Sequence, residues 1–204
     1  MSARGRLITL EGVDGAGKST HIRFIADCLG AQGHHVVVSR EPGGTELAER
    51  LRRTILEEPM QAVAETLLIF AARNDHVTRV ILPALSAGHW VVCDRFSDAT
   101  RAYQGAGKGI PRELIERLCD ATHAGLQPDR TLVFDCSYEL ARKRLAASGR
   151  PLDRFEREER AFFERVRSAY LDQAKAEPDR VRIIDASADV ASVRKALERN
   201  LVFA

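Results

Sequence analysis

Short β-branched and apolar runs alternate along the chain with stretches whose apolar residues recur every three or four positions. Leu7-Ile8-Thr9-Leu10 predicts a first strand. Ile22, Ile25, Ala26 and Leu29 then form the i, i+3, i+4, i+7 stripe of an amphipathic helix, closed by Gly30 and Gly33. Val36-Val37-Val38, Trp90-Val91-Val92-Cys93, Leu132-Val133-Phe134 and Val181-Arg182-Ile183-Ile184 predict four further strands. Between and after them, four stripes predict the buried faces of helices: Ala64, Leu67, Leu68, Ala71; Val77, Val80, Ile81, Ala84; Phe162, Val166, Ala169, Tyr170; and Val190, Val193, Leu197, Leu201. Pro83 falls inside the second of these and is expected to kink or loosen its helix, because it removes a backbone donor. Strands alternating with helices predict an α/β fold, a five-stranded parallel sheet covered on both faces. In such sheets ligands gather at the carboxyl ends of the strands.

No repeat and no Pro/Gly/Ser-rich linker divides the 204 residues, so a single domain over 1–204 is expected. Apolar residues make up 45% of the chain, enough for a sizeable core. No apolar run approaches the length of a membrane span, and the N-terminus lacks the pattern of a secretory signal, which makes the cytoplasm the default. Cys28, Cys93, Cys119 and Cys136 are scattered without a C-x-x-C pair and read as thiols. The six histidines show no catalytic or metal-ligating pattern. The net charge of +2 argues against a protein that coats nucleic acid, so any functional positive charge must be local.

That local charge begins immediately after the first strand. Gly12-Val13-Asp14-Gly15-Ala16-Gly17-Lys18-Ser19 matches G-x-x-x-x-G-K-[ST], with a strand before it and a periodic helix after it. Glycines let the backbone wrap closely enough for successive N–H groups to face phosphate oxygens, and the helix adds its positive end. Lys18 can reach the β- and γ-phosphates of ATP, and Ser19, followed by Thr20, can ligate Mg²⁺. The third strand ends in Asp94-Arg95, an acidic residue suited to the Mg²⁺ shell beside an arginine suited to a second phosphate. Arg40 leaves the second strand on the same edge. Two arginines opposite a P-loop make sense if the acceptor is itself a phosphate. Bringing a like charge to about 4 Å costs roughly 4 kcal/mol at an effective dielectric near 20, and bidentate arginines offset it. No N-K-x-D motif reads guanine, which disfavours a GTPase switch. A kinase for another nucleoside monophosphate or a deoxynucleoside, and a non-catalytic nucleotide-binding switch, are the alternatives.

The chain resembles the bacterial thymidylate kinases. The segments that carry the likeness are Arg40-Glu41-Pro42-Gly43-Gly44-Thr45, Leu68-Ile69-Phe70-Ala71-Ala72-Arg73, Asp94-Arg95-Phe96-Ser97 running on to Tyr103-Gln104-Gly105, Leu152-Asp153-Arg154-Phe155-Glu156 and Ile184-Asp185-Ala186-Ser187. They occur in the family's order and span essentially the whole chain. The resemblance implies phosphoryl transfer from Mg·ATP to dTMP by a P-loop kinase with a short lid, here residues 145–157, and a homodimer for which apolar residues between Ala64 and Ala84 would supply the face. By the same likeness Phe70 would stack on thymine and Arg73 would bond its exocyclic oxygen. Arg40 and Arg95 would hold the acceptor phosphate, Asp14 would accept from the sugar 3′-hydroxyl, and Tyr103 would sit where a 2′-hydroxyl would clash. Thr100 and Gln104 would line the base site, although polar residues on a helix are ordinarily solvated.

Arg142, Lys143, Arg144, Arg150 and Arg154 on their own read as a solvated basic face. The resemblance makes part of that region a lid over ATP. Members of the family carry a basic catalytic residue either at the position of Gly15 or in the lid. Gly15 bears no charge, so Arg150 and Arg154 are the candidates here, with Arg142 flanking adenine.

Overall fold

The structure, a computed structural model, describes residues 4–203. Five strands form one sheet: β1 (Leu7–Gly12), β2 (Val36–Arg40), β3 (Trp90–Asp94), β4 (Arg130–Asp135) and β5 (Val181–Asp185). All pairings are parallel, in the order β2-β3-β1-β4-β5. Each of the five sequence-predicted runs is a strand, extended by one to three residues. β1 is buried throughout because neighbours flank it and helices cover both its faces.

Side chains alternate across β1. Ile8 and Leu10 turn toward α1 (Lys18–Ala31) and α9 (Val190–Asn200), where Ile25, Leu29, Val193 and Leu197 join them in one core. Leu7 belongs to a second core with Val91, Val77, Ile81 and Leu85. Thr9 and Glu11 follow Leu7 on that face: Thr9 bonds Thr131 at 3.0 Å, and Glu11 accepts from the Tyr170 hydroxyl of α8 (Arg160–Ala176) at 2.7 Å.

Two departures from the periodicity have physical reasons. In α3 (Ala62–His76) the apolar stripe faces outward: Val63 and Leu67 are half exposed, while Glu65, Thr66, Arg73 and His76 are buried with Ile69 and Phe70. Hydrophobicity alone points to the wrong face, since the buried polar groups are satisfied by residues of other elements: Glu65 by Gln104 and Lys108, Arg73 and His76 by Glu41. After His76 the helix widens into a π-helical stretch, Val77–Ile81, before α4 (Leu82–Ser86). Pro83 sits at the start of α4, and the wider turn accommodates its missing donor and its ring. The loosening expected at Pro83 therefore takes the form of a π segment.

The remaining helices lie outside the predicted stripes. They are α2 (Glu46–Glu57), α6 (Arg112–His123), α7 (Tyr138–Ala147) and the short α5 (Ser97–Thr100), which runs into a second π-helical stretch, Arg101–Gly107. Side-chain caps start α2 and α7: Thr45 accepts from Ala48 N–H at 3.1 Å and Ser137 from Leu140 N–H at 3.3 Å. Residues 148–159, between α7 and α8, form turns without helix or strand, so Leu145 to Ala147 of the expected lid belong to α7.

Candidate active site

Gly12, Arg40, Asp94 and Arg95 all lie at the carboxyl ends of neighbouring strands β1, β2 and β3, and the last three line one cleft of about 680 Å³. That volume suits small-molecule ligands. The P-loop forms its floor. Lys18 is buried and donates to the carbonyls of Gly12 and Val13, each at 3.1 Å. Burial and the nearby Arg95 charge pull its ammonium below the ordinary lysine range, so an incoming anion relieves an existing electrostatic cost. Ala16, Gly17, Ser19 and Thr20 line the same cleft, with Ser19 exposed to it.

Gly15 requires glycine for two reasons. Its φ is +81°, and an added Cβ would lie 2.5 Å from the Ala141 carbonyl oxygen of α7. A side chain at this position is thus excluded by the packing of α7 against the loop. Gly15→Ala should lower the melting temperature by roughly 5–10 °C and weaken ATP binding at least about tenfold, since loop or helix must shift. Calorimetry of binding and a thermal melt check this; unchanged values would mean α7 yields freely.

Arg95 is the centre of the second half of the site. Its φ is +72°, in the left-handed region that favours glycine, a conformation held by its surroundings rather than by its own preference. Its guanidinium donates to Asp14 Oδ1 at 2.6 Å, the Tyr103 hydroxyl at 3.0 Å, the Tyr170 hydroxyl at 3.2 Å and the Gly12 carbonyl at 2.9 Å. Tyr103 donates in turn to Asp14 Oδ2 at 2.7 Å. Burial alone would raise the Asp14 carboxyl, but the Arg95 and Lys18 charges outweigh it and hold it below the ordinary range. Behind this cluster Glu11 accepts from the Phe96 N–H at 2.7 Å and from Tyr170, pinning both sides of the Arg95 turn. Burial, followed by the Asp98 charge, pushes Glu11 up to about 7.

On the far wall Arg73 donates to Glu41 Oε2 at 2.6 Å, Thr100 Oγ1 at 3.0 Å and the Phe96 carbonyl at 3.2 Å. Its Nη1 is buried with no hydrogen-bond partner among the described residues. Glu41 is also bonded to His76 Nδ1 at 3.0 Å. Burial would raise this carboxyl, but Arg73 and His76 hold it below the ordinary range. Thr100 and Gln104 are buried and line the cleft, contrary to the solvated reading of polar helix residues.

Phe70, expected at the thymine ring, is 2% exposed. Its ring packs with Ile110, Ile115 and Cys119, and Arg73 covers it at 4.8 Å, so it stands one layer behind the cleft wall. Phe70 and Arg73 do share a helix face, but only Arg73 reaches the cavity. Arg40 lines the cleft and is held by Glu49 through bonds of 2.8 and 3.1 Å. Nothing local in the sequence marks Arg52. It stands beside Arg40 on the cleft wall, where burial and the Arg40 charge pull its guanidinium down, and it donates to the Pro42 carbonyl at 2.9 Å.

Among the basic residues after β4, Arg150 lines the cleft and is paired with Glu156. Arg154 does not line it; it turns away to Glu65 and the Ile55 carbonyl. Arg142 likewise misses the main cleft and donates to the Glu156 carbonyl at 2.7 Å. Arg144, two positions on and so across the helix, bonds the Ala16 carbonyl at 3.1 Å and the Ala186 carbonyl at 2.8 Å, tying the P-loop to the loop after β5.

For a divalent cation the candidate donors would be Asp94 and Ser19. Asp94 Oδ1 is buried with no hydrogen-bond partner among the described residues, and the Ser19 hydroxyl opens to the same cleft. Two hard oxygen donors, with room for phosphate oxygens and water, fit Mg²⁺.

Residues 10–197 match the family model described as thymidylate kinase. The chain belongs to the thymidylate kinase family. It is similar to the thymidylate kinase of Bordetella petrii, with 57% identity over 201 residues that cover 98% of this chain and 97% of that protein. The thymidylate kinase of Methylobacillus flagellatus is 53% identical over 192 residues, 94% of each chain. Among solved structures, the thymidylate kinase of Ehrlichia chaffeensis superposes with a TM-score of 0.78 at 32% identity, covering 96% of this chain and 97% of that one. The protein is accordingly a nucleoside-monophosphate kinase with the P-loop fold seen in its sheet order. Among the described residues no helix is long and apolar enough to cross a membrane.

Proposed function

We propose that this thymidylate kinase transfers the γ-phosphoryl group of Mg·ATP to the phosphate of dTMP with the following division of labour. The observation that carries it is the single cleft shared by a P-loop and, opposite it, the arginines Arg40, Arg52 and Arg95. A dTMP phosphate oxygen is already anionic at neutral pH, so no side chain has to remove a proton from it. Lys18 and the loop backbone hold the ATP phosphates. Asp94 and Ser19 would hold Mg²⁺, which when bound neutralises charge on those phosphates. Arg95 and Arg40 receive the acceptor phosphate and offset its repulsion from the donor. Asp14 and Tyr103, locked to Arg95, meet the sugar. The unpaired Arg73 donor meets the base, with Thr100 and Gln104 beside it.

Residues 148–157 act as the lid. Arg150 is the arginine that reaches the transferring group when it leaves Glu156, because it alone of the two candidates lines the cleft. Arg154 holds the lid in place instead. The outward apolar row of Val63, Leu67 and Leu82 supports a second copy of the chain as its cover; sedimentation showing only monomer at micromolar concentration would count against this.

The test is coupled ADP release with dTMP, dUMP, dCMP, AMP, GMP and thymidine offered in parallel. Turnover should follow dTMP, and Arg150→Ala should lower kcat roughly 100-fold or more with little change in the KM for dTMP. Preference for another monophosphate would overturn the base-site reading. Failure of every acceptor would overturn phosphotransfer.

A further inference from the structure

Glu65, on α3, is fully buried and is not part of the cleft wall. Three side chains from two other elements converge on it. Gln104 donates its side-chain amide to Oε1 at 2.8 Å, and Lys108 donates to Oε2 at 2.7 Å. Arg154, from the lid, donates to Oε2 as well. The next lid residue, Phe155, lies against the same two cations, with Arg154 and Lys108 4.8 and 4.6 Å from its ring centroid. Its ring also meets Tyr103 edge-on at 6.0 Å. Arg154 closes the contact by donating to the Ile55 carbonyl of α2.

A fully buried carboxylate that holds two cations compensates both; removing it leaves Arg154 and Lys108 facing each other without compensation. The lid is therefore fastened at a point behind the cleft, and Arg150, four residues before Arg154, is presented to the cleft by that fastening. The amino group of Gln104 is committed to the same carboxylate, so the fastening point also orients a residue of the acceptor wall.

We propose that Glu65 is a positioning residue that seats the lid. It clasps Arg154, thereby placing Arg150, and through Gln104 it ties the seat to the acceptor side. The role rests on the phosphotransfer reading above.

The experiment compares full-length wild type with Glu65→Gln, Arg154→Gln and the double variant. It measures kcat, both KM values, ADP release without acceptor, and amide exchange over residues 148–157. Each single variant should lose kcat about 10- to 30-fold, and the double should be no slower than the worse single, as for two residues acting through one contact. Acceptor-independent ADP release should rise several-fold relative to turnover, because a loose lid admits water. Exchange over 148–157 should quicken in every variant. Only Glu65→Gln and the double should raise the KM for dTMP, by about fivefold, because only they replace the charged acceptor that orients Gln104 with a neutral one.

Unchanged kcat, multiplying losses in the double variant, or wild-type exchange over 148–157 would each overturn the proposal. Wild-type protein without dTMP-dependent turnover would instead overturn the phosphotransfer reading, and the exchange data would still report on the seat. Should Glu65→Gln fail to fold, Arg154→Gln and Arg154→Lys alter only a surface segment and carry the kcat, leak and exchange readouts. Lysine keeps the charge and should restore part of each.

Discussion

Arg95→Ala should lower kcat/KM for dTMP by about 10³- to 10⁴-fold, equivalent to roughly 4–5.5 kcal/mol of lost transition-state stabilisation. Two losses combine. The acceptor phosphate loses a forked donor, and Asp14 loses the cation at 2.6 Å that keeps it ionised and oriented. Tyr103 and Tyr170 lose a shared partner at the same time. Arg95→Lys keeps the charge but reproduces neither the fork nor its simultaneous reach to four acceptors, so it should recover only part, to about 10²-fold below wild type. ATP affinity should stay within about threefold of wild type, because Lys18 and the loop backbone bind the donor. Steady-state kinetics with varied dTMP, set beside calorimetric ATP binding, would decide it. A folded Arg95→Ala protein within tenfold of wild type in kcat/KM would remove Arg95 from the acceptor site.

The second large effect is on stability. The Arg73 and Glu41 side chains are each 2% exposed and meet at 2.6 Å. Arg73→Met retains much of the volume and removes the cation, leaving a buried carboxylate with His76 alone. Breaking such a pair costs about 3–5 kcal/mol, and for a chain of this length that corresponds to a fall in melting temperature of roughly 6–20 °C. The double variant Arg73→Met/Glu41→Gln should recover part of the loss, since the stranded charge goes with its partner. Because Arg73 and His76 hold Glu41 below its ordinary value of 4.5, the stability it contributes is present above that pH and is lost as pH falls through the lowered folded value. The gap between wild type and Arg73→Met should therefore narrow in acid. Melts from pH 7 down to pH 3 would show it. A gap of less than about 2 °C at pH 7 would mean the pair adds nothing over its own desolvation.

The strands and the phosphate loop were legible because both are local. A β-branched run buried between two neighbours shows itself residue by residue, and a P-loop needs its glycines and lysine at fixed spacing. The acceptor side was legible to the extent that its residues sit at strand ends, as Arg40, Asp94 and Arg95 do. Arg52 and Glu11 were not legible, because nothing local marks them. Arg52 is one arginine among many on a polar helix, and Glu11 looks like the end of a strand until Tyr170, 159 positions away, is seen to donate to it. The outward stripe on α3 shows the reverse failure. There the apolar pattern is real, but the buried face carries Glu65, Arg73 and His76, which are tolerated inside only because distant partners satisfy them.

By itself, then, the chain's own pattern determined a five-stranded parallel α/β sheet, a phosphate loop after its first strand, and an edge where charged residues collect. The packed structure decided which of those charges do what: that Arg150 faces the cleft while Arg154 turns to Glu65, that Arg144 rather than Arg142 touches the P-loop, and that Phe70 lies behind Arg73. The reason is physical. Strand formation and phosphate-loop geometry are set by residues within a few positions of one another. A long cationic side chain instead takes its direction from whichever carboxylate or carbonyl the fold brings within about 3 Å, and those partners come from elements remote in sequence.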